Sequence, residues 1–151
     1  MAIRQGGFTM IELIVTLMVI GILAIAVLPR MDLLRGFDEI GFRDQVRAAL
    51  EYARKSAVAQ RRHVCVVMAG GTVTLTVADA VPESGAGACP YARGLTLPGS
   101  NSNAFAAPAG VTVTPDTTLR FDALGRPSAG AVLAVTGSGT IVVEAETGYV
   151  H

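Results

Sequence analysis

The sequence predicts an α+β chain in which a long N-terminal membrane-spanning helix packs on a small β-rich head domain. Three observations carry that expectation. Residues 8–28 form an apolar run of 21 positions whose only ionisable side chain is Glu12. Apolar residues then recur every three or four positions from Phe42 to Ala57, and from His63 onward the period becomes two, broken by glycine pairs. The implied organisation is a leader at 1–7, a transmembrane and assembly helix at 8–29, an amphipathic helix at 30–62 and a β-rich head at 63–151.

A helix needs roughly 20 apolar residues to cross a bilayer. Only a helix satisfies the backbone groups of a lone segment in hydrocarbon, so 8–28 reads as a spanning helix. A carboxylate inside it is costly unless it meets a partner or changes its protonation state. Cutting the chain between Gly7 and Phe8 would create that partner. The new Phe8 amine would lie in the same layer as Glu12, and in a staggered stack the amine of one copy meets the carboxylate of its neighbour. Arg4, the one charge of the leader, favours keeping that segment in the cytoplasm. Pro29 lacks an amide donor and is expected to bend the helix.

The run Gly7-Phe8-Thr9-Met10-Ile11-Glu12-Leu13 resembles the processing site of type IV prepilins and type II secretion pseudopilins. The resemblance covers the chain through Pro29. It implies cleavage after Gly7 by a prepilin peptidase, N-methylation of Phe8, and filament assembly through Glu12 and the helix-bending Pro29. The partners it implies are that peptidase, other pilins or pseudopilins and an inner-membrane assembly platform. The location it implies is the bacterial inner membrane, crossed once, with the head in the periplasm or carried into a pilus or pseudopilus. The competing reading is an ordinary secretory signal peptide with Ala24-Ile25-Ala26 as its cleavage site. That reading leaves Glu12 unexplained inside an apolar core longer than the usual 7 to 15 residues, and a plain membrane anchor leaves the Gly-Phe junction unexplained.

The remainder of the chain suits one domain with a modest core. Twelve Lys and Arg balance twelve Asp and Glu, so the overall charge calls for neither nucleic acid nor an acidic surface. Cys65 and Cys89 are the only cysteines. In an exported domain they are expected to form a disulfide, restraining the unfolded chain by about 3 kcal/mol in the loop-entropy model. Free buried thiols and a metal pair are the alternatives. Without a Cys-x-x-Cys pair, and with His63 the one nearby imidazole, the zinc set is poor.

Between residues 31 and 62, Phe42, Val46, Ala49, Leu50, Ala53 and Ala57 fall on one helical face, a stripe to be buried against the head. Glu39, Arg43, Arg47, Glu51 and Lys55 succeed one another at four-residue intervals. Glu39 to Arg43 and Glu51 to Lys55 run in the favourable direction, worth about 0.2 to 0.5 kcal/mol each. Gly36 and Gly41 lower helix propensity, so a local break between Leu34 and Phe42 is expected. Arg54, Lys55, Arg61 and Arg62 are read as cations opposing the helix dipole near its C-terminus. They lack the interleaved aromatic residues of a nucleic-acid platform, which leaves DNA as a disfavoured partner.

Residues 64–68 and 73–77 flank a glycine turn and predict a hairpin. Val73, Leu75 and Val77 are expected to face the core, with Thr72, Thr74 and Thr76 facing water. Short strands are expected at 95–97, 111–113 and 118–121, with a loop at 98–108. A late hairpin is expected from 131–135 and 140–144 around Gly137-Ser138-Gly139. Leu119-Arg120-Phe121, Gly125-Arg126-Pro127 and Glu144-Ala145-Glu146-Thr147-Gly148 resemble the C-terminal half of the H-type minor pseudopilin and minor pilin domain, which implies a sandwich-like pilin head. His63 and Cys65 lack a carboxylate nearby in sequence for thiolate chemistry. Asp116 and Asp122 read as turn caps rather than calcium ligands, and neither glycine turn leads into a phosphate-binding helix. The expectation is a structural protein with no enzymatic activity, metal, cofactor or small-molecule substrate. The alternatives to a filament subunit are a surface-displayed DNA-binding receptor and an ordinary secreted β-domain.

Overall fold

The computed structural model describes residues 8–27, 30–79 and 88–151. The chain divides into two compact units, Met1–Arg35 and Gly36–His151.

In the first unit, helix α1 runs Met10–Val27, 18 residues. Its start is built by Thr9. The Glu12 amide faces the Thr9 hydroxyl at 3.4 Å, and the Glu12 and Leu13 amides donate to the Thr9 carbonyl. Thr9-x-x-Glu12 is thus a capping-box sequence, with the acid in the first turn, where the helix dipole favours it. The cap takes Phe8 and Thr9 out of the helix, while Leu28 and Pro29 lie outside the described residues. At 1.5 Å per residue α1 is about 27 Å long, short of the ~30 Å hydrocarbon core. Among the described residues no helix is long and apolar enough to cross a membrane. The expected membrane-spanning helix is therefore corrected to a shorter apolar helix, and the expected single-pass inner-membrane location loses its structural basis. From Phe8 to Leu23 the large apolar side chains of this region are exposed on every face, from 47% at Ile14 to 85% at Met10.

Helix α2 runs Arg30–Gln60 without interruption, so the expected break at Gly36 and Gly41 does not occur. Those glycines cost about 1 kcal/mol each relative to alanine. Packing supplies the compensation, since Phe42, Val46, Ala49, Leu50, Ala53 and Ala57 are all buried. The helix ends as Arg61 turns to a φ of 49°, the left-handed step that stops a helix.

Among the described residues the head holds eight strands in two sheets. Strands β1 (Val64–Ala69), β2 (Thr72–Val77), β3 (Arg93–Gly94) and β6 (Thr117–Phe121) form the order β3-β2-β1-β6, with β4 (Ala104–Ala106) also pairing β2. Strands β5 (Val113–Thr114), β7 (Ala131–Val135) and β8 (Gly139–Val143) form the order β5-β7-β8. All described strand pairs are antiparallel, with Val64 opposite Val77 across the first hairpin and Leu133 opposite Ile141 across the last. One buried cluster joins α2 to both sheets through residues such as Leu50, Val66, Leu75, Phe121, Leu133 and Ile141.

The strand expectations need three corrections. The strand expected at 95–97 is displaced to Arg93–Gly94, and the loop expected at 98–108 contains β4. Thr76 does not face water. It is 5% exposed, and its hydroxyl accepts the Tyr91 amide at 3.0 Å.

Candidate assembly site

The N-terminal candidates sit on the first unit. Gly7 and the rest of the leader lie outside the described residues, as does Pro29. Phe8 is 80% exposed just before the cap. Glu12 is exposed on the first turn of α1, and among the described residues no cation lies within ion-pair distance of it. The Thr9 cap gives Glu12 a local role that its charge alone did not reveal. The signal was legible in Thr9-Met10-Ile11-Glu12, a Thr followed three residues later by Glu. Glu12 thus combines a helix-starting backbone position with a carboxylate that meets no cation among the described residues.

Cys65 and Cys89 form a disulfide with Cα atoms 5.9 Å apart, within the usual range for such bridges. Cys65 is fully buried on β1, so the bond fastens the segment leading to β3 onto the middle of the first sheet. Pairing removes the thiol that a Cys-His reaction centre would need. His63 contributes its carbonyl to the Ala78 amide at 2.9 Å. Beside the bridge, Arg93 reaches Gln60 at 3.1 Å and Asp79 at 3.8 Å, tying β3 to the end of α2.

Of the two ion pairs expected along α2, Glu51–Lys55 forms and Glu39–Arg43 does not. Arg47 and Lys55 both contact Glu51 at 3.4 Å. Glu39 leaves Arg43 and lies against the β7–β8 turn, its carboxylate filling the space into which a side chain at Gly137 would project. With φ at +70°, Gly137 lies in the left-handed region that favours glycine.

The basic cluster is largely occupied within the domain. Arg54 packs beside Gly125 and Gly148. Arg62 donates to the Ala78 carbonyl at 3.1 Å and also to the Asp79 carbonyl. Lys55 is held by Glu51, and Arg61 occupies the helix stop. No continuous cationic face of the kind that tracks phosphates remains in this set.

Asp122 accepts the Leu124 and Arg126 amides, each at 2.8 Å, an Asx turn that fixes the loop after β6. Asp116 accepts the Gly70 amide at 3.5 Å. At the chain's far end His151 stacks on Tyr149 with ring centres 5.4 Å apart and contacts Glu144 at 3.2 Å. Among the described residues no group of three His, Cys, Asp or Glu side chains stands close enough to hold a metal.

Residues 3–28 match the prokaryotic N-terminal methylation motif. Residues 43–148 match the family described as Type II transport protein GspH. Among solved structures, the chain is similar to two crystal forms of the type IV minor pilin FimU of Pseudomonas aeruginosa strain PAO1. The form in space group P21 is 17% identical over 72% of this chain and 82% of that one, with a TM-score of 0.49. The form in space group P65 is 16% identical over 72% and 86%, with a TM-score of 0.48. No curated protein matches the chain.

Proposed function

Because this chain belongs to the Type II transport protein GspH family, we propose that it is processed at Gly7 and Phe8 and takes its place in a filament through the Glu12 end of α1. It is a structural minor pilin or pseudopilin subunit. The observation that carries the proposal is the arrangement of the two matches, a methylation motif over 3–28 followed by the head-domain family over 43–148. Its partners are then a prepilin peptidase, other pilins or pseudopilins and the platform that assembles them.

The chemistry follows from the first turn of α1. Cleavage after Gly7 converts the Phe8 amide into an amine, and methylation keeps that amine basic. Glu12 lies one turn further on, with no cation within ion-pair distance among the described residues. When apolar helices stack with a stagger, the amine of one subunit approaches the carboxylate of the next, and exclusion of water strengthens their attraction. A register off by one turn leaves a charge buried without its partner, which costs several kcal/mol. The pair therefore selects the stagger, and the exposed apolar side chains of α1 supply the non-directional attraction.

Mass spectrometry of the mature N-terminus tests the processing step. The expected species starts at methylated Phe8, and one starting at Val27 would replace this reading with a secreted β-domain. Glu12→Ala tests assembly. Expression of the processed subunit should be unchanged while its recovery in filaments falls at least tenfold; normal recovery would remove Glu12 from the contact.

A further inference from the structure

The bridge between Cys65 and Cys89 joins two unlike positions. Cys65 is fully buried, yet it stands outside the core cluster to which its neighbours Val64 and Val66 belong. Strand alternation therefore turns its side chain to the other face of the first sheet, where Cys89 meets it. Cys89 is only half-buried, and no residue from 88 to 94 is fully buried or part of the core cluster. The first buried side chain beyond the bridge is Leu95.

The other ties of 88–94 are light. They are the two-residue pairing of β3 with Thr76 and Val77, the Tyr91 amide on the Thr76 hydroxyl, and the contacts of exposed Arg93 with Gln60 and Asp79. Against them stands the Tyr91 hydroxyl, buried without a hydrogen-bond partner among the described residues, which disfavours the attached position. Charge is placed unevenly as well. Cys65 stands opposite Arg120 on β6, and directly opposed residues share a face with Cβ atoms about 4.5–5.5 Å apart. Arg120 is exposed and makes no ion pair among the described residues.

We propose that this bridge is a thiol-exchange site opened by a dithiol reductant, which attacks Cys89 and expels the Cys65 sulfur beside Arg120, releasing 88–94 from the β2 edge while the core stays folded. Displacement runs along the S–S axis. Attack on Cys89 comes from the side of the covering segment, whereas attack on Cys65 would have to come through the sheet. A thiolate of the reductant bonds to Cys89 Sγ, the Cys65–Cys89 bond breaks, and its electron pair leaves on Cys65 Sγ, which takes up a proton. The second thiol of the reductant then displaces Cys89 in the same way. Two electrons and two protons have passed to the protein, and the reductant is left as a disulfide. A cation beside the departing sulfur favours its thiolate and speeds its departure. Once free, 88–94 has no buried anchor, and β2 is left with an open edge at Thr76 and Val77, a surface able to accept another strand. The β4 pairing with Thr72–Thr74 is untouched. The site is independent of the filament reading.

The test uses the full chain in detergent. Brief exposure to glutathione, an acid quench and peptide mapping should find the adduct on Cys89 and a free thiol at Cys65; an adduct on Cys65, or equal amounts on both, overturns the assignment. Reduction by dithiothreitol at low salt should slow about threefold in Arg120→Gln and keep the parent rate in Arg120→Lys. An unchanged rate in Arg120→Gln removes Arg120 from the site. Hydrogen exchange then reads the release. After reduction, uptake should rise about tenfold at 76–77 and 88–95 and stay at the oxidised level in 42–57 and 131–143. A rise throughout the head would make the bridge a general staple, and no rise at 88–95 would show that it latches nothing; either result sinks the proposal.

Discussion

The two helices of this chain put apolar residues to opposite uses. In α1 they point in every direction and stay exposed; in the part of α2 within the head they form one stripe, and all six of its members are buried. Each helix is marginal alone, since helical stability in proteins comes mainly from packing. The second helix finds its packing in its own sheets, whereas the large apolar side chains of the first stay exposed. Sequence pattern already separates the cases, because a 3.6-residue stripe specifies one neighbour and an all-round apolar surface specifies a crowd of them.

Mutations sharpen that contrast. Leu50→Ala, in the buried stripe, should lower head stability by about 2 to 5 kcal/mol, read as a shift of the denaturant midpoint. Leu17→Ala, on exposed α1, should leave that midpoint within about 0.5 kcal/mol of the parent. Equal effects would show that α1 is part of the cooperative head. Replacing both cysteines by serine should cost about 3.5 kcal/mol, the loop-entropy value for a bridge across this sequence separation of 24, and should spare α1 helicity by circular dichroism. A smaller change is expected from Asp122→Ala, which removes the acceptor of two backbone amides and should cost about 1 to 2 kcal/mol. Smallest of all, Glu51→Gln breaks two surface pairs and should lower stability by less than about 1 kcal/mol, an effect that fades in salt.

What could be read in advance was whatever obeys a short period. The α2 stripe and the hairpins 64–77 and 131–143 are set by neighbours three, four or two residues apart, and they stand where the pattern puts them. The failures involve partners far away in the chain. Thr76 alternates like an exposed residue and is buried, its hydroxyl taken by the amide of Tyr91, fifteen positions on. Glu39 has a good local partner in Arg43 and yet lies against Gly137. Ala104–Ala106 has loop-like neighbours and becomes a strand because β2 offers an edge. At the assembly end the apolar run was plain, but its length was overread. Thr9 starts the helix two residues later than hydropathy suggests, and that capping signal was present in the sequence.

The position of β1 has a consequence for the time order of folding. This strand pairs with its neighbour β2 and also with β6, where Cys65 stands opposite Arg120. Without the bridge, closing that second pairing means bringing together positions 55 residues apart in the chain. With Cys65 already joined to Cys89, the path runs through the bond and then from residue 89 to 120, only 31 residues. Loop-closure entropy then favours the second pairing by about 0.5 kcal/mol, roughly a doubling of the rate at which β6 finds its place. Oxidation before folding would therefore act as a shortcut through the longest search that the first sheet has to make.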